Sequence, residues 1–290
     1  MTLLSALFGI AADRLLTHLH EYRQYAPLFR YVAWMRARFN GPPWDGPVGL
    51  LLTLLPLWLL TLLLQLWVSD WLLGLAGLLF YVAVLVYCLG PRDLASDVDT
   101  WCEVSDSSDE VLRNRAAARL LPGQSQQGAT SAAADMVAAV LVEANDRLFG
   151  VLFWFVLLGP LGAVMYRSVA LLYQQRQTQD EFADSLSWWY AVLLWLPARL
   201  VALGFALAGH FDLALEGWRR AQQERPQGVT GSERVLAMTG SGALGLDTGA
   251  DDRVAPVRAA MRLVWRALAV WLVVLSLLVL AGWADAKQAA

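Results

Sequence analysis

Five apolar stretches, each close to twenty residues long, constrain this chain more than any other feature. They cover residues 48–67, 71–89, 148–172, 188–208 and 264–283. About twenty apolar residues are what a helix needs to cross the hydrocarbon core of a bilayer. No water reaches the backbone there, so helices and closed barrels are the only spanning solutions. The first and second stretches carry no charge between their ends, and the fifth carries only Arg266, at its start. The third is interrupted by Gly159-Pro160 and ends in Arg167, and the fourth holds Pro197-Ala198-Arg199 in its middle. An arginine in mid-membrane is costly, and a proline frees a backbone carbonyl. These two stretches are therefore either spans lining a polar interior or re-entrant hairpins. The expected fold is all-α: a polytopic integral membrane protein with three to five crossing helices and helical loops.

Composition agrees. Hydrophobic residues make up 58% of the 290 and charged residues 16%, against roughly 45–50% and 25% in soluble domains. There are 14 tryptophans, a residue favoured at the membrane interface. A net charge of -3 argues against nucleic acid as a partner; the bilayer is the expected one. Arginine placement suggests an orientation. Arg14, Arg23, Arg30, Arg36 and Arg38 precede the first stretch, Arg92, Arg113, Arg115, Arg119 and Arg147 lie between the second and third, and seven arginines from Arg219 to Arg262 lie between the fourth and fifth. The link at Val68-Ser69-Asp70 has none. The positive-inside rule then places the amino terminus and both long loops in the cytoplasm. The same charge bias fits three or five crossings, and disfavours one of the two broken stretches spanning without the other. The first ten residues lack the basic start and cleavage pattern of a signal peptide and read as a short interfacial helix. Cys88 and Cys102 fall on the reducing side, where a disulfide is not expected.

This organisation divides the chain into N-terminal interfacial and cytoplasmic helices (1–47), a membrane hairpin (48–89), a cytoplasmic helical loop (90–147), broken membrane segments (148–208), a second cytoplasmic loop (209–263) and a C-terminal membrane helix with its tail (264–290). In the first loop, Ser107-x-x-Glu110 has capping-box spacing before a helix to Leu121. Pro122-Gly123 stops that helix, and GQSQQGAT reads as a flexible linker. A further helix starts near Ser131 and runs into the third stretch, with Glu143 and Arg147 four residues apart. In the second loop, HFDLALEGWRRAQQ reads as a helix pairing Glu216 with Arg220. The glycine-rich run from Gly228 to Asp252 reads as loop, and Asp247, Asp251 and Asp252 lack calcium-loop spacing.

Catalytic patterns are missing. His18, His20 and His210 belong to no metal or triad motif, and there is no His-Glu-x-x-His, Gly-x-Ser-x-Gly or Cys-x-x-Cys. No catalytic residue, cofactor or metal is expected. Ala198, Ala202 and Ala206 form a smooth stripe suited to close helix approach, either to a single-span partner protein or inside this chain.

Several blocks resemble the AmpE proteins of the AmpE/CobD/CbiB superfamily. They are Asp13-Arg14-Leu15; the run EANDRLFGVLFWF from Glu143 to Phe155; Gly159-Pro160-Leu161-Gly162-Ala163; Tyr166-Arg167; Leu196-Pro197-Ala198-Arg199-Leu200; Ala208-Gly209-His210-Phe211-Asp212; and Gly242-Ala243-Leu244. The resemblance implies signalling that controls induction of AmpC-type β-lactamase in Gram-negative bacteria. The CobD/CbiB branch joins an aminopropanol arm to adenosylcobyric acid using ATP. There an Asn-Thr-Leu-Asp block follows the Tyr-basic pair, and paired aspartates precede the Pro-Ala-Arg block. Here those places read Ser168-Val169-Ala170-Leu171 and Trp188-Trp189-Tyr190-Ala191, without the carboxylates that metal-bound nucleotide handling needs. The resemblance also implies one site from the polar blocks flanking the broken stretch. Gly159 and Pro160 would let the chain bend so that Asn145, Asp146 and Arg147 approach Tyr166 and Arg167. Arg199, behind a break at Pro197, would turn inward to Glu143 or Asp146. This polar network or ligand pocket is the candidate site.

Overall fold

The structure, a computed structural model, describes residues 25–39, 44, 46–69, 75–89, 94–105, 107, 109–120, 133–175, 180–224, 228–245 and 254–280. Of the described residues 93% are helical and none lies in a strand. In chain order the helices are α1 (Ala26–Arg38), α2 (Pro47–Ser69), α3 (Leu75–Cys88), α4 (Leu94–Val104), α5 (Glu110–Leu120) and α6 (Ala133–Ala144). A π-helical turn (Asn145–Phe149) follows, then α7 (Gly150–Leu158), α8 (Pro160–Gln174), α9 (Glu181–Ala208), α10 (Phe211–Gln223), α11 (Gly228–Leu244) and α12 (Val254–Leu280).

Among the described residues three helices are long and apolar enough to cross a membrane: Pro47–Val68 in α2, Glu181–Ala208, which is all of α9, and Val254–Leu277 in α12. Gly77–Cys88 in α3 is a shorter apolar helix. Leu59, Leu60, Leu63, Leu66 and Trp67 on α2 and Val273, Val274 and Leu277 on α12 are exposed, as side chains solvated by lipid tails would be. Lipid is as apolar as leucine, so inside a bilayer packing and hydrogen bonds hold such helices together.

The third apolar stretch makes no long helix. Its arms, α7 and α8, have 9 and 15 residues, short of a span, and they fold back on each other. Gly159 breaks the helix at φ +70°, in the region that favours glycine, and Pro160 opens α8 with the fixed φ suited to a first helical position. The arms run antiparallel. Gly162 lies so near Trp154 that a Cβ there would sit 2.0 Å from its carbonyl oxygen, and a Cβ on Gly150 would meet the Tyr166 ring at 2.4 Å. Backbone groups freed at the tip are met from α2: Gln65 Oε1 accepts from the Leu161 N–H at 3.2 Å, and Gln65 Nε2 donates to the Leu158 carbonyl at 3.5 Å. A Gly159→Ala variant forces an L side chain into the left-handed region. It is expected to lose about 1–2 kcal/mol, read as an earlier thermal unfolding midpoint in detergent.

The sequence placed a second break at Pro197, but α9 runs through it unbroken over 28 residues. The carbonyl that proline leaves without an intrahelical donor, at Leu193, accepts from Trp154 Nε1 at 3.1 Å. Membrane helices tolerate proline where a neighbour re-satisfies the freed group in this way.

The chain divides into two compact units, each built from separated stretches: 1–92 with 146–195, and 93–145 with 196–290. In the first unit α1 is tied to α2 by Tyr31 donating to the Thr53 carbonyl (3.0 Å), and α2 to α8 by Trp58 Nε1 donating to Ser168 Oγ (3.2 Å). Arg36 pairs with Asp180 at 2.8 Å. In the second unit α11 corrects the loop expected from its glycines. Residues 228–244 are helical, because glycine there allows backbones to touch. A Cβ on Gly242 would lie 2.3 Å from the Leu213 carbonyl oxygen of α10, and one on Gly240 would lie 2.6 Å from the Leu141 side chain of α6. Packing outweighs poor helix propensity. The expected cap of α5 is also revised. Asp109, not Ser107, accepts from the backbone N–H groups of Val111 (2.9 Å) and Leu112 (3.2 Å), while Ser107 Oγ accepts from the Asp109 N–H. The last helix starts at Val254, ten residues before the fifth apolar stretch begins. Glu216 and Arg220 pair as expected, and Cys88 and Cys102 are buried and not joined by a disulfide. The expectations for 1–24, the linker at 123–130 and Asp247, Asp251 and Asp252 lie outside the described residues.

Candidate functional site

A π turn holds one more residue per turn than an α-helix, and such turns recur at functional sites. The turn over Asn145–Phe149 carries Asp146, which is 4% exposed. Within the first unit Asp146 Oδ1 accepts from the Tyr166 hydroxyl at 3.2 Å. Its Oδ2 accepts from the Tyr190 hydroxyl, and from Gln174 Nε2 at 3.5 Å. Both phenol rings are fully buried. Tyr173 lies against Tyr190 with centroids 4.4 Å apart. The side-chain-free Gly150 leaves room for the Tyr166 ring. Hydrogen bonds to an ionised carboxylate are about twice as strong as neutral ones, so three donors on one carboxylate fasten α8 and the start of α9 to the π turn.

Arg167, next in sequence to Tyr166, is 5% exposed. Its guanidinium carbon lies 5.4 Å from the centroid of the Tyr25 ring, within cation–π range. Tyr25 is held in turn by donating to the Tyr87 carbonyl at 2.8 Å and by an edge-on contact with the Tyr87 ring. Among the described residues, nothing accepts from Arg167 Nε or Nη1.

Of the residues expected to form one cluster, the hairpin brings Asp146 and Tyr166 into contact and sets Arg167 beside them in the first unit, where Arg147 is half-buried. Glu143 and Asn145 are buried and belong to the second unit, as does Arg199. Arg199 is half-buried and falls at helical spacing on the face of α9 that exposes Leu196, Leu200 and Leu203. Ala198, Ala202 and Ala206 are all buried inside the chain, so that stripe packs internally. Tyr190, Gln174, Tyr173 and Tyr25 were not among the expected site residues. For Tyr190 a signal existed, since it stands where the related branch carries acids, but amid tryptophans it reads as part of an interfacial aromatic belt. No group of three or more His, Cys, Asp or Glu placed to hold a metal ion occurs among the described residues.

Helices long and apolar enough to span, with a folded-back hairpin whose polar ends meet around a buried carboxylate, define a polytopic helical membrane protein. The chain belongs to the AmpE family, described as "Regulatory signalling modulator protein AmpE", which matches residues 1–284. It is also similar to proteins named "Cobalamin biosynthesis protein CobD". The one from Chromobacterium violaceum is 30% identical over 177 residues, covering 59% of this chain and 56% of that protein. The one from Stutzerimonas stutzeri is 27% identical over 311 residues, covering 97% and 98%. The chain thus spans little more than half of the first relative and nearly all of the second. No solved structure matches.

Proposed function

We propose that this chain is a non-enzymatic modulator in the bacterial inner membrane, acting in signalling that controls induction of AmpC-type β-lactamase, with its amino terminus and both long loops in the cytoplasm. The observation that carries the reading is the state of Asp146. Its two oxygens are taken by two phenols and an amide, which suits a fixed structural carboxylate better than a base or a metal ligand. The family match over residues 1–284, described as a regulatory signalling modulator, supports a signalling role. Deleting the gene in a strain with inducible β-lactamase is expected to change the ratio of induced to basal β-lactam hydrolysis, and the wild-type chain should restore it. An unchanged ratio would remove the signalling role. The similarity to the CobD proteins favours a second reading, a cobalamin-type amide ligase. Turnover of adenosylcobyric acid with ATP by the purified chain would establish it in place of the first.

Placement of the two loops on one side is supported by their packing. Leu141 of α6 lies against Gly240 of α11 within the second unit, an arrangement that leaves no room for a bilayer between them. Single cysteines at the exposed positions Asp99 and Glu216, in a chain whose native cysteines are buried, are expected to react with a membrane-impermeant maleimide only after the inner membrane is opened. Labelling of either in intact cells with a permeabilised outer membrane would reverse the assignment for that loop.

A further inference from the structure

Most buried polar groups of the first unit that bear on the hairpin are matched. Asp146 meets three donors, Gln65 serves both sides of the hairpin tip, Trp154 takes the carbonyl freed by Pro197, and Trp58 meets Ser168. Arg167 is the exception. The residue is nineteen-twentieths buried, and its buried Nε and Nη1 have no acceptor among the described residues. The guanidinium carbon lies over the Tyr25 ring, and an acceptor for Nε and Nη1 approaches in the guanidinium plane, where the N–H groups point. A buried cation is strongly unfavourable unless something neutralises it.

We propose that Arg167 and Tyr25 form a binding position for a phosphate-type oxyanion, carried on a lipid headgroup or free in solution. The level of the site supports phosphate. Tyr25 is fixed to the Tyr87 carbonyl and ring, in the last turn of the apolar helix α3, where an apolar helix gives way to the headgroup region. Helix α1 begins at the residue after Tyr25 and has no side-chain cap, so its positive end lies beside the ring and favours an anion. A planar guanidinium is suited to phosphate oxygens, and an ammonium matches them less well. The site does not depend on the signalling role, because binding is read on the purified protein.

Full-length protein, delipidated in detergent, is examined by native mass spectrometry and thermal shift in two arms, one with phosphatidylglycerol in mixed micelles and one with inorganic pyrophosphate. One phosphate-bearing adduct per chain is expected in at least one arm. Arg167→Gln should weaken it about tenfold or more, Arg167→Lys should be intermediate, and the exposed control Arg220→Gln should bind like wild type. Should Arg167→Gln fail to fold, Tyr25→Leu, which leaves the charge in place, is expected to weaken binding severalfold. Binding of phosphatidylglycerol alone identifies a headgroup site, and binding of pyrophosphate alone a site for soluble phosphate. The proposal is overturned if wild type binds neither, or if every Arg167 and Tyr25 variant that folds binds as wild type does.

Discussion

Replacing Asp146 with alanine is expected to remove about 3–5 kcal/mol of stability, the largest loss from any single side-chain truncation in the hairpin. The substitution removes the carboxylate that accepts from the hydroxyls of Tyr166 and Tyr190, both fully buried, and from the Gln174 amide. Each buried donor left without an acceptor costs about 1–3 kcal/mol. Asp146→Asn keeps one acceptor and should lose markedly less. Tyr166→Phe and Tyr190→Phe each remove one charge-assisted bond, for about 1.5–3 kcal/mol. Because both phenols bond the same carboxylate, their effects should not add, and a double-mutant cycle should show coupling. Thermal unfolding of the purified variants in detergent decides the matter. An Asp146→Ala protein that melts with wild type would mean that the carboxylate does not hold the hairpin.

The second large effect is expected at Gly162. A Cβ there would lie 2.0 Å from the Trp154 carbonyl oxygen, 2.7 Å from its carbon and 2.9 Å from Leu158 Cβ, all on the opposite arm. Backbone of a packed helix cannot yield as a flexible side chain can, so Gly162→Ala should separate the arms and cost more than about 3 kcal/mol. Gly150→Ala makes the informative comparison. Its Cβ would meet the Tyr166 ring, a side chain, and the expected cost is in the ordinary overpacking range of about 1–3 kcal/mol. Size-exclusion profiles of tagged variants, followed by unfolding of those that remain monodisperse, give the order. A Gly162→Ala protein as stable as Gly150→Ala would contradict the tight antiparallel hairpin.

A bend in the third stretch was legible in the sequence because two independent signals coincide there, a Gly-Pro pair inside an apolar run and polar blocks at both ends of it, while the choice between a span and a hairpin stayed open. That is enough to bring Asp146 near Tyr166. The remaining members of the cluster lie beyond local reading. Tyr190 is 44 residues from Asp146, and nothing in Trp188-Trp189-Tyr190 separates a phenol bonded to a buried acid from one resting at an interface. Pro197 misleads for a related reason. Local chemistry shows a freed carbonyl, but the indole that accepts the role of donor comes from Trp154, 39 residues away. In the run from Gly228 to Leu244 the propensity of glycine is outweighed by helix contacts that no window of the sequence contains. The helices of crossing length in the first, fourth and fifth stretches were readable, since length and hydropathy are properties of a continuous segment.

The interleaving of the two units also sets an order of events during synthesis. The first unit needs residues 1–92 and 146–195, and the second needs 93–145 and 196–290. As the chain leaves the ribosome, the early part of the first unit must wait while a stretch belonging to the other unit is made. Asp146 then emerges 44 residues ahead of the Tyr190 hydroxyl that it binds. For that interval a carboxylate destined for burial keeps its water, and the closing arm of the hairpin has nothing to lock against. Contacts so distant in sequence form slowly, so insertion of this protein is set by the arrival of its later segments, and neither unit can be released as a single uninterrupted fragment.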